Sequence, residues 1–292
     1  GAYHGQHPEG IASMVELNER SSARANPSGT GAPWVKDSVV VAPFNDLEST
    51  RTLIKENSAD LAAVIVEPLH RCLKPVHGFL SGLRKITKDL GIILIFDEVV
   101  TGFRLALGGA QEYYGVKPDL VAYGKALGGG FPIGAFGGSE EIMQGVNESR
   151  YSKLNYTWSA STTGGNPVSC AAAIATIKIL SEQQNFDKLH DLGREFRKQL
   201  TEILINEEKP FQILGDGPLA QVVFTEQPVK NSRDWSAADR NKGHLLMLQL
   251  IKEGVFLNPM GTKMYLSLSH GIKEMEEFSD KFYSALKSLR EA

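Results

Sequence analysis

The sequence is poor in the residues that covalently stabilise or anchor specialised proteins. Among its 292 residues there are 2 cysteines, Cys72 and Cys170, and their spacing matches neither a disulfide framework nor a metal-ligand motif. No apolar run approaches the ~18 residues of a membrane span, and the N-terminus lacks the charged-then-apolar pattern of a signal peptide. We therefore expect a cytoplasmic protein that has no membrane partner and binds no metal.

The chain also has no large excess of positive or of negative residues. The chain has 31 Lys and Arg residues against 34 Asp and Glu residues, a formal net charge of −3. No run of like charge offers a face for a polyanion, so nucleic acid is not an expected partner. The length suffices for one large domain, or for a large domain with a small one, each burying its own core.

Short apolar runs predict the fold class. Residues 61–66 (LAAVIV), 92–96 (IILIF) and 120–123 (LVAY) read as buried strands, because they combine β-branched residues with no polar alternation. Between the first two, residues 78–90 have apolar side chains at helical spacing. A strand, a helix and a strand in this order imply a parallel βαβ unit, so we predict a doubly wound α/β fold.

The second half of the chain has a different pattern. Residues 166–183 and 185–207 read as helices. After Pro210, short strands at 212–214, 220–224, 255–257 and 264–267 alternate with helices at 237–253 and 272–289, which indicates a smaller α+β domain. We therefore predict a large domain over residues 1–209 and a small one over 210–292.

Polar residues follow the predicted strands directly. Glu67 follows the first, Asp97 and Glu98 the second, and Lys125 the third. Ligands of open α/β sheets lie beyond the carboxyl ends of the strands, so these side chains are candidates for one shared pocket. A structural salt bridge at the sheet edge remains an equal alternative at this point.

The glycine-rich segment that begins beside Lys125, GKALGGGFPIGA, is neither a P-loop nor a GxGxxG motif after a strand. Consecutive glycines allow backbone conformations and close approaches that a side chain would block. A lysine beside such a segment could reach a carbonyl carbon. To act as a Schiff-base nucleophile it must lose its proton, which burial and a nearby cation promote.

Three longer motifs, LIFDEVVTGFR (94–104), GVKPDLVAYGKALGGGFPIGAFGG (115–138) and STTGGNPVSCAAA (161–173), resemble those of the class III aminotransferases. Those enzymes have PLP fold type I, where PLP is pyridoxal 5′-phosphate. The likeness is strongest to the branch that contains glutamate-1-semialdehyde aminomutase. It begins at GAYHG (1–5) and includes FLNPMGTKMYLSLSH (256–270).

The resemblance implies a PLP enzyme with two catalytic residues. Lys125 matches the lysine that holds PLP as a Schiff base and then moves a proton between the substrate carbon and the cofactor. Asp97 matches the aspartate that pairs with the pyridine nitrogen, whose protonated form lets the ring accept electrons.

Five further residues match cofactor-contacting positions of the family. The resemblance implies that Val99 packs on one face of the ring and that Tyr3 stacks on the other, although ordinary core packing is the alternative for each. It implies that Thr162 reaches the phosphate from a neighbouring subunit, which requires a homodimer with a shared active site. Glu67 and His4 match residues near the cofactor, and a structural hydrogen bond is the alternative for His4.

The sequence departs from the family pattern at three places. The Ser/Gly/Thr phosphate loop that precedes GAYHG in the family is absent, so we expect an incomplete N-terminal part and weakened phosphate binding. Glu67 and Pro68 are followed by residues 69–73 (LHRCL), where the aminomutases continue with Gly and Asn. Lys263 is the one cation in 256–270, where many class III enzymes place an arginine for a substrate carboxylate.

These departures leave the reaction open among three hypotheses. The first is an aminotransferase that moves an amino group from a donor to a keto or aldehyde acceptor, either a small molecule or a carrier-tethered chain. The second is a glutamate-1-semialdehyde 2,1-aminomutase, which transfers the group within one substrate. The third is an inactive fold-type-I scaffold module.

Overall fold

The computed structural model describes residues 1–14, 25–27, 29–151, 155–205, 210–257 and 262–290. The chain divides into two compact units. The first comprises Gly1–Arg71 and Pro75–Lys178, and the second comprises Cys72–Lys74 and Ile179–Ala292. The predicted boundary near Lys209 therefore falls inside the second unit.

The first unit is built around a mostly parallel sheet. Over the described residues this sheet has four strands in the order β1 (Ala63–Val66), β2 (Ile93–Asp97), β3 (Leu120–Tyr123) and β4 (Ala135–Gly138). The first three are parallel neighbours, whereas β4 is antiparallel to β3. The three strands predicted from apolar runs are confirmed. Strand β4 was not predicted from the sequence, since AFGG contains no apolar run.

The helix predicted between the first two strands is confirmed as α4 (Phe79–Asp89). Gly78 precedes it with φ 84°, a left-handed conformation that glycine adopts without steric cost. The helix buries Phe79, Leu80 and Leu83 in the same apolar core as Leu94 and other sheet residues. Its amphipathic spacing therefore covers the sheet, as expected for a βαβ unit.

Other helices of this part of the chain are mostly short. Over the described residues they are α1 (Pro8–Ile11), α2 (Val35–Ser38), α3 (Leu47–Glu56), α5 (Ala110–Tyr113), α6 (Glu140–Met143) and α7 (Pro167–Leu180). The last two residues of α7 belong to the second unit.

The second unit has an antiparallel sheet. Its strands pair in the order β5 (Gln212–Leu214), β6 (Leu219–Val223) and β7 (Lys263–Tyr265) over the described residues. Its helices there are α8 (Gln183–Ile205), α9 (Ser232–Ser236), α10 (Arg240–Lys252) and α11 (Ile272–Arg290). The α+β character predicted after Pro210 is confirmed.

Helix α8 explains why the second unit begins earlier than predicted. Phe196, Leu200 and Leu204 recur along one face of α8 and are buried in the core that also contains Val222 of β6 and Phe282 of α11. The change of pattern at Pro210 marks the start of the sheet, whereas the apolar face of α8 already belongs to its core. Positions 206 and 207 of the predicted helix lie outside the described residues.

The strand predicted at 255–257 does not form. Gly254 ends α10 with φ 81°, and the amide of Val255 donates to the Leu250 carbonyl at 2.8 Å. That amide therefore closes the helix end and is not part of a ladder. The apolar residues of this segment are not all buried, since Leu257 is 9% exposed and lies in the unit's core whereas Phe256 is 82% exposed.

Among the described residues, no helix combines the length and the apolar character needed to cross a bilayer.

Two helical glycines of the second unit should respond in opposite ways to a methyl group. A Cβ on Gly193 of α8 would collide with the Gly217 carbonyl, whereas one on Gly243 of α10 would meet no atom within 4 Å. We expect Gly193→Ala to lower the free energy of unfolding by ~1–3 kcal/mol, as overpacking does. Gly243→Ala, the matched control, should raise it by ~0.5–1 kcal/mol because alanine favours helix. Urea unfolding measures both, and equal effects of the two substitutions would contradict the packing shown here.

Candidate active site

Three chemically active side chains lie where the parallel strands of the first unit end. Glu67 directly follows β1, Asp97 is the last residue of β2, and Lys125 follows β3 after Gly124. Val66 pairs with Phe96, and Asp97 pairs with Ala122. Because parallel strands present their carboxyl ends at one edge, this register brings the three positions together.

The Asp97 carboxylate is oriented by two contacts. Its Oδ1 accepts a hydrogen bond from the amide of Val99 at 3.1 Å. Its Oδ2 lies 2.8 Å from Nδ1 of His4. The two side chains are only 11% and 10% exposed, respectively. Each carboxylate oxygen keeps a second lone-pair site, so Asp97 can still pair with a protonated ring nitrogen.

Glu67 ties the N-terminal segment to the end of β1. Its Oε1 accepts from the amide of Tyr3 at 3.2 Å, and its Oε2 accepts from the amide of Arg71 at 3.2 Å. Nδ1 of His70 lies 3.7 Å from the same carboxylate. The Arg71 guanidinium in turn donates to the Gly1 carbonyl. Glu67 and Asp97 therefore hold two consecutive residues, Tyr3 and His4, at the sheet edge.

Lys125 adopts an uncommon backbone conformation. Its φ is 47°, in the left-handed region, where a non-glycine residue costs of order 1–3 kcal/mol and persists only if its surroundings enforce it. A 3₁₀ turn, Lys125–Gly128, begins at this residue, and Gly129 and Gly130 continue with φ 57° and 105°. The glycine-rich segment thus supplies the left-handed turn that follows the lysine.

The charges of neighbouring residues affect the pKa of the Lys125 amine. Although the residue is solvent-accessible, loss of hydration lowers the pKa of its amine below the ordinary value. The negative charges of Asp97 and Glu67 oppose this shift, whereas the positive charge of Arg104 adds to it. These influences agree with the strand register, which places the positions of Glu67, Asp97 and Lys125 at one edge of the sheet.

Val99 and Tyr3 border this group of residues. A Cβ on Gly124 would lie 3.4 Å from Cγ1 of Val99, so Val99 packs against the residue that precedes Lys125. Tyr3 is 43% exposed, which leaves much of its side chain available for a ligand. Thr162 is placed differently. It lies in an exposed turn ahead of α7, and no described contact joins it to the other predicted site residues.

Two residues of this region, Arg71 and Arg104, were not predicted from the sequence. Arg71 lies in the turn held by Glu67, and Arg104 contributes positive charge near Lys125. Glu98, which was predicted as a candidate for the shared pocket, is instead buried with 0% exposure and has hydrogen-bond partners of its own. Burial raises the pKa of Glu98, although amide and hydroxyl donors partly offset the effect.

These residues are chemically suited to a charged aromatic heterocycle that carries an aldehyde. Asp97 offers an oriented carboxylate for a ring N–H, Val99 and Tyr3 offer apolar and aromatic surface, and Lys125 offers an amine that loses its proton more readily than an ordinary lysine. The donor set therefore fits the ring of PLP.

Known structures define the fold. An omega-transaminase from Sphaerobacter thermophilus is 35% identical with a TM-score of 0.90, and the match covers 99% of this chain and 67% of that one. A transaminase with PLP bound is 25% identical with a TM-score of 0.85, covering 99% and 66%. The fold is therefore that of the PLP fold type I transaminases.

The family follows from the sequence match. The model of the family Aminotransferase class-III matches residues 1–286, so the chain belongs to the class III aminotransferases. Glutamate-1-semialdehyde 2,1-aminomutase 2 of Brevibacillus brevis is 36% identical over 98% of this chain and 66% of its own length. The chain thus spans about two thirds of the curated relatives it matches. The family resemblance inferred from the motifs is confirmed.

The charges around Lys125 predict how its amine reacts with pH. In the cofactor-free protein, we expect modification by an amine-directed reagent to have a midpoint at lower pH than that of Nα-acetyllysine. Asp97→Asn should lower the midpoint further, because it removes a charge that raises the pKa, and Arg104→Gln should raise it. Peptide mapping by mass spectrometry after timed labelling measures the midpoints. A midpoint equal to that of free lysine, or shifts of the opposite sign, would exclude this arrangement of charges.

Proposed function

We propose that this chain carries the amino-transferring site of a PLP-dependent class III enzyme, with Lys125 as the cofactor lysine. The supporting observation is the convergence of an amine of lowered pKa and an oriented carboxylate, Lys125 and Asp97, at the carboxyl edge of one parallel sheet. Membership of the class III family supplies the reaction class.

In this proposal the first unit holds the cofactor ring. Asp97 would keep a negative charge at the ring nitrogen, and His4 with the Val99 amide keeps that carboxylate in place. Tyr3 and Val99 would cover the ring, with Glu67 anchoring the Tyr3 backbone. When bound, PLP supplies an aldehyde that condenses with amines and a ring that accepts the electrons left by a departing proton.

Lys125 has the second role, as the base. With PLP bound, the unprotonated Nζ of Lys125 would take the proton from the substrate carbon, hold it, and deliver it to the cofactor. A lowered pKa favours this, because more of the amine is unprotonated near neutral pH. The surroundings that enforce the left-handed φ of Lys125 would also fix the start of its side chain, while the four-carbon stem remains free to rotate.

The proposed reaction is a transfer between separate donor and acceptor. The named aminomutase relatives favour the intramolecular alternative, glutamate-1-semialdehyde 2,1-aminomutase. Against it stands the turn after Glu67, where LHRCL replaces the Gly and Asn that continue the aminomutase pattern. In the structure Arg71 of this turn contacts both Glu67 and Gly1, so the departure lies beside the site.

We further propose a homodimer in which each active site uses Thr162 of the other copy. Thr162 is exposed and lies apart from the site residues of its own chain. Three large apolar side chains that are near Thr162 in sequence are exposed, Trp158 at 78%, Val168 at 62% and Ile174 at 55%. Exposed aromatic and aliphatic side chains are what an interface with a second copy would bury. A cytoplasmic location stays a prediction, supported by two cysteines that form no disulfide.

The reaction itself can be tested by absorbance and by a half-reaction. With PLP added, the protein should show a visible band that is absent in Lys125→Ala and retained in Lys55→Ala, a control on α3. Glutamate or alanine alone should then convert the bound cofactor to its amine form with release of a keto acid. Turnover of glutamate 1-semialdehyde with no donor would support the aminomutase instead. The absence of any band in the unsubstituted protein would leave the scaffold hypothesis.

The shared site can be tested by mixing two inactive variants. A heterodimer of Lys125→Ala and Thr162→Val would contain one site with both residues intact, so a random mixture should recover about a quarter of the wild-type activity. Lys125→Ala mixed with Asp97→Asn is the control, because each defect then occupies its own chain's site and no intact site forms. Recovery in neither mixture would show that Thr162 does not serve a neighbouring subunit.

A further inference from the structure

The buried carboxylate of Glu98 is held by partners from a distant part of the chain. Its Oε1 accepts from the Gln111 amide at 3.0 Å, and its Oε2 accepts from the Ala110 amide and from Oγ1 of Thr101 at 3.1 Å. Gly109 has φ 79°, and a Cβ there would collide with the carboxylate. The first amides of the short helix α5 are thus capped by a side chain from the end of β2.

The same network continues to the strand that leads to Lys125. The side-chain amide of Gln111 donates to the hydroxyl of Tyr123 at 2.7 Å. Tyr123 is the last residue of β3 and packs against Phe103, with 5.3 Å between ring centroids. Burial and the neighbouring Glu98 charge raise the pKa of Tyr123 to about 12, still further above physiological pH than that of an ordinary tyrosine, so its hydroxyl stays protonated there. Gln111 therefore bridges the residue after Asp97 and the residue before Gly124 and Lys125.

This bridge lies where main-chain pairing between the two strands stops. Asp97 pairs with Ala122, and the Glu98 amide still donates to the Ala122 carbonyl at 2.9 Å. Beyond that point both chains turn, and Lys125 takes its left-handed conformation. A residue with a strained backbone that lies beyond the last hydrogen bond between two strands keeps its conformation only if its neighbours enforce it.

We propose that Glu98, Gln111 and Tyr123 are positioning residues that fix the separation between the Lys125 amine and the Asp97 carboxylate. None of them touches the bound cofactor in the proposed function. Glu98, Gln111 and Tyr123 act indirectly, because they join the end of β2, which carries Asp97, to the end of β3, which leads to Lys125. The activity part of this inference rests on the proposed function, whereas its geometric part concerns the cofactor-free protein.

The test uses the response of Lys125 to the charge of Asp97. In the cofactor-free protein, Asp97→Asn shifts the pH midpoint of Lys125 labelling, and the size of that shift reports how close the two groups are. In a Tyr123→Phe background, which removes only the bridging hydroxyl, we expect the shift to shrink by about half or more. Tyr283→Phe on α11 is the matched control and should leave it unchanged. An unchanged shift in Tyr123→Phe would overturn the proposal.

A second variant separates the bridge from general damage. Gln111→Met keeps the length of the side chain and removes its amide, so it should reproduce the effect of Tyr123→Phe. The double variant should add nothing further, because both substitutions break one contact. Additive effects would contradict a single bridge. Glu98→Gln is a poorer probe, since an amide facing the amides of Ala110 and Gln111 could prevent folding.

In the PLP-loaded protein, Tyr123→Phe should lower kcat by ~10-fold with little change in KM for the donor, as small misplacement of reacting groups does. If the unsubstituted protein shows no amino transfer, the proposed function fails while the labelling result still decides the bridge. If it is active and Tyr123→Phe has wild-type kcat and an unchanged labelling shift, the bridge has no positioning role.

Discussion

Parallel pairing of β1, β2 and β3 is the constraint on which the site depends. Each strand contributes one chemical group at its end, Glu67, Asp97 or Lys125, and the register places these ends side by side. In an antiparallel arrangement alternate strands would end at opposite edges, and the carboxylate and the amine would be separated. The apolar packing of α4 on the sheet stabilises this pairing by covering Leu94 and its neighbours.

Burial and neighbouring charges affect Asp97 and Lys125 differently. Asp97 is nearly buried but its charge is met by His4 and the Val99 amide. Lys125 remains accessible, yet enough protein surrounds it to lower its pKa. Two opposing influences thus act on one amine, loss of hydration against the attraction of two carboxylates, and the result suits a nucleophile better than an exposed lysine would.

The fold and the main site residues were predictable because their signals are local. Short apolar runs located β1, β2 and β3. Glu67 and Asp97 directly follow their runs and Lys125 follows its run after Gly124, so these positions indicated the candidate site residues. Other features depended on contacts distant in sequence. The core formed by α8 with β6 and α11 moved the unit boundary ahead of Lys209, and β4 formed by pairing with β3 although AFGG has no strand pattern of its own.

By itself, the sequence determined the family and the parallel α/β character of the first unit, and it indicated the candidate acid and amine, because periodicity and long motifs are written in neighbouring residues. Only the tertiary structure decided which groups orient them. His4 meets Asp97 across 93 positions of sequence and Tyr3 meets Glu67 across 64, and the bridge from Glu98 through Gln111 to Tyr123 joins two strand ends. Hydrogen bonds between such distant residues depend on how the chain folds back on itself, and no local pattern records that.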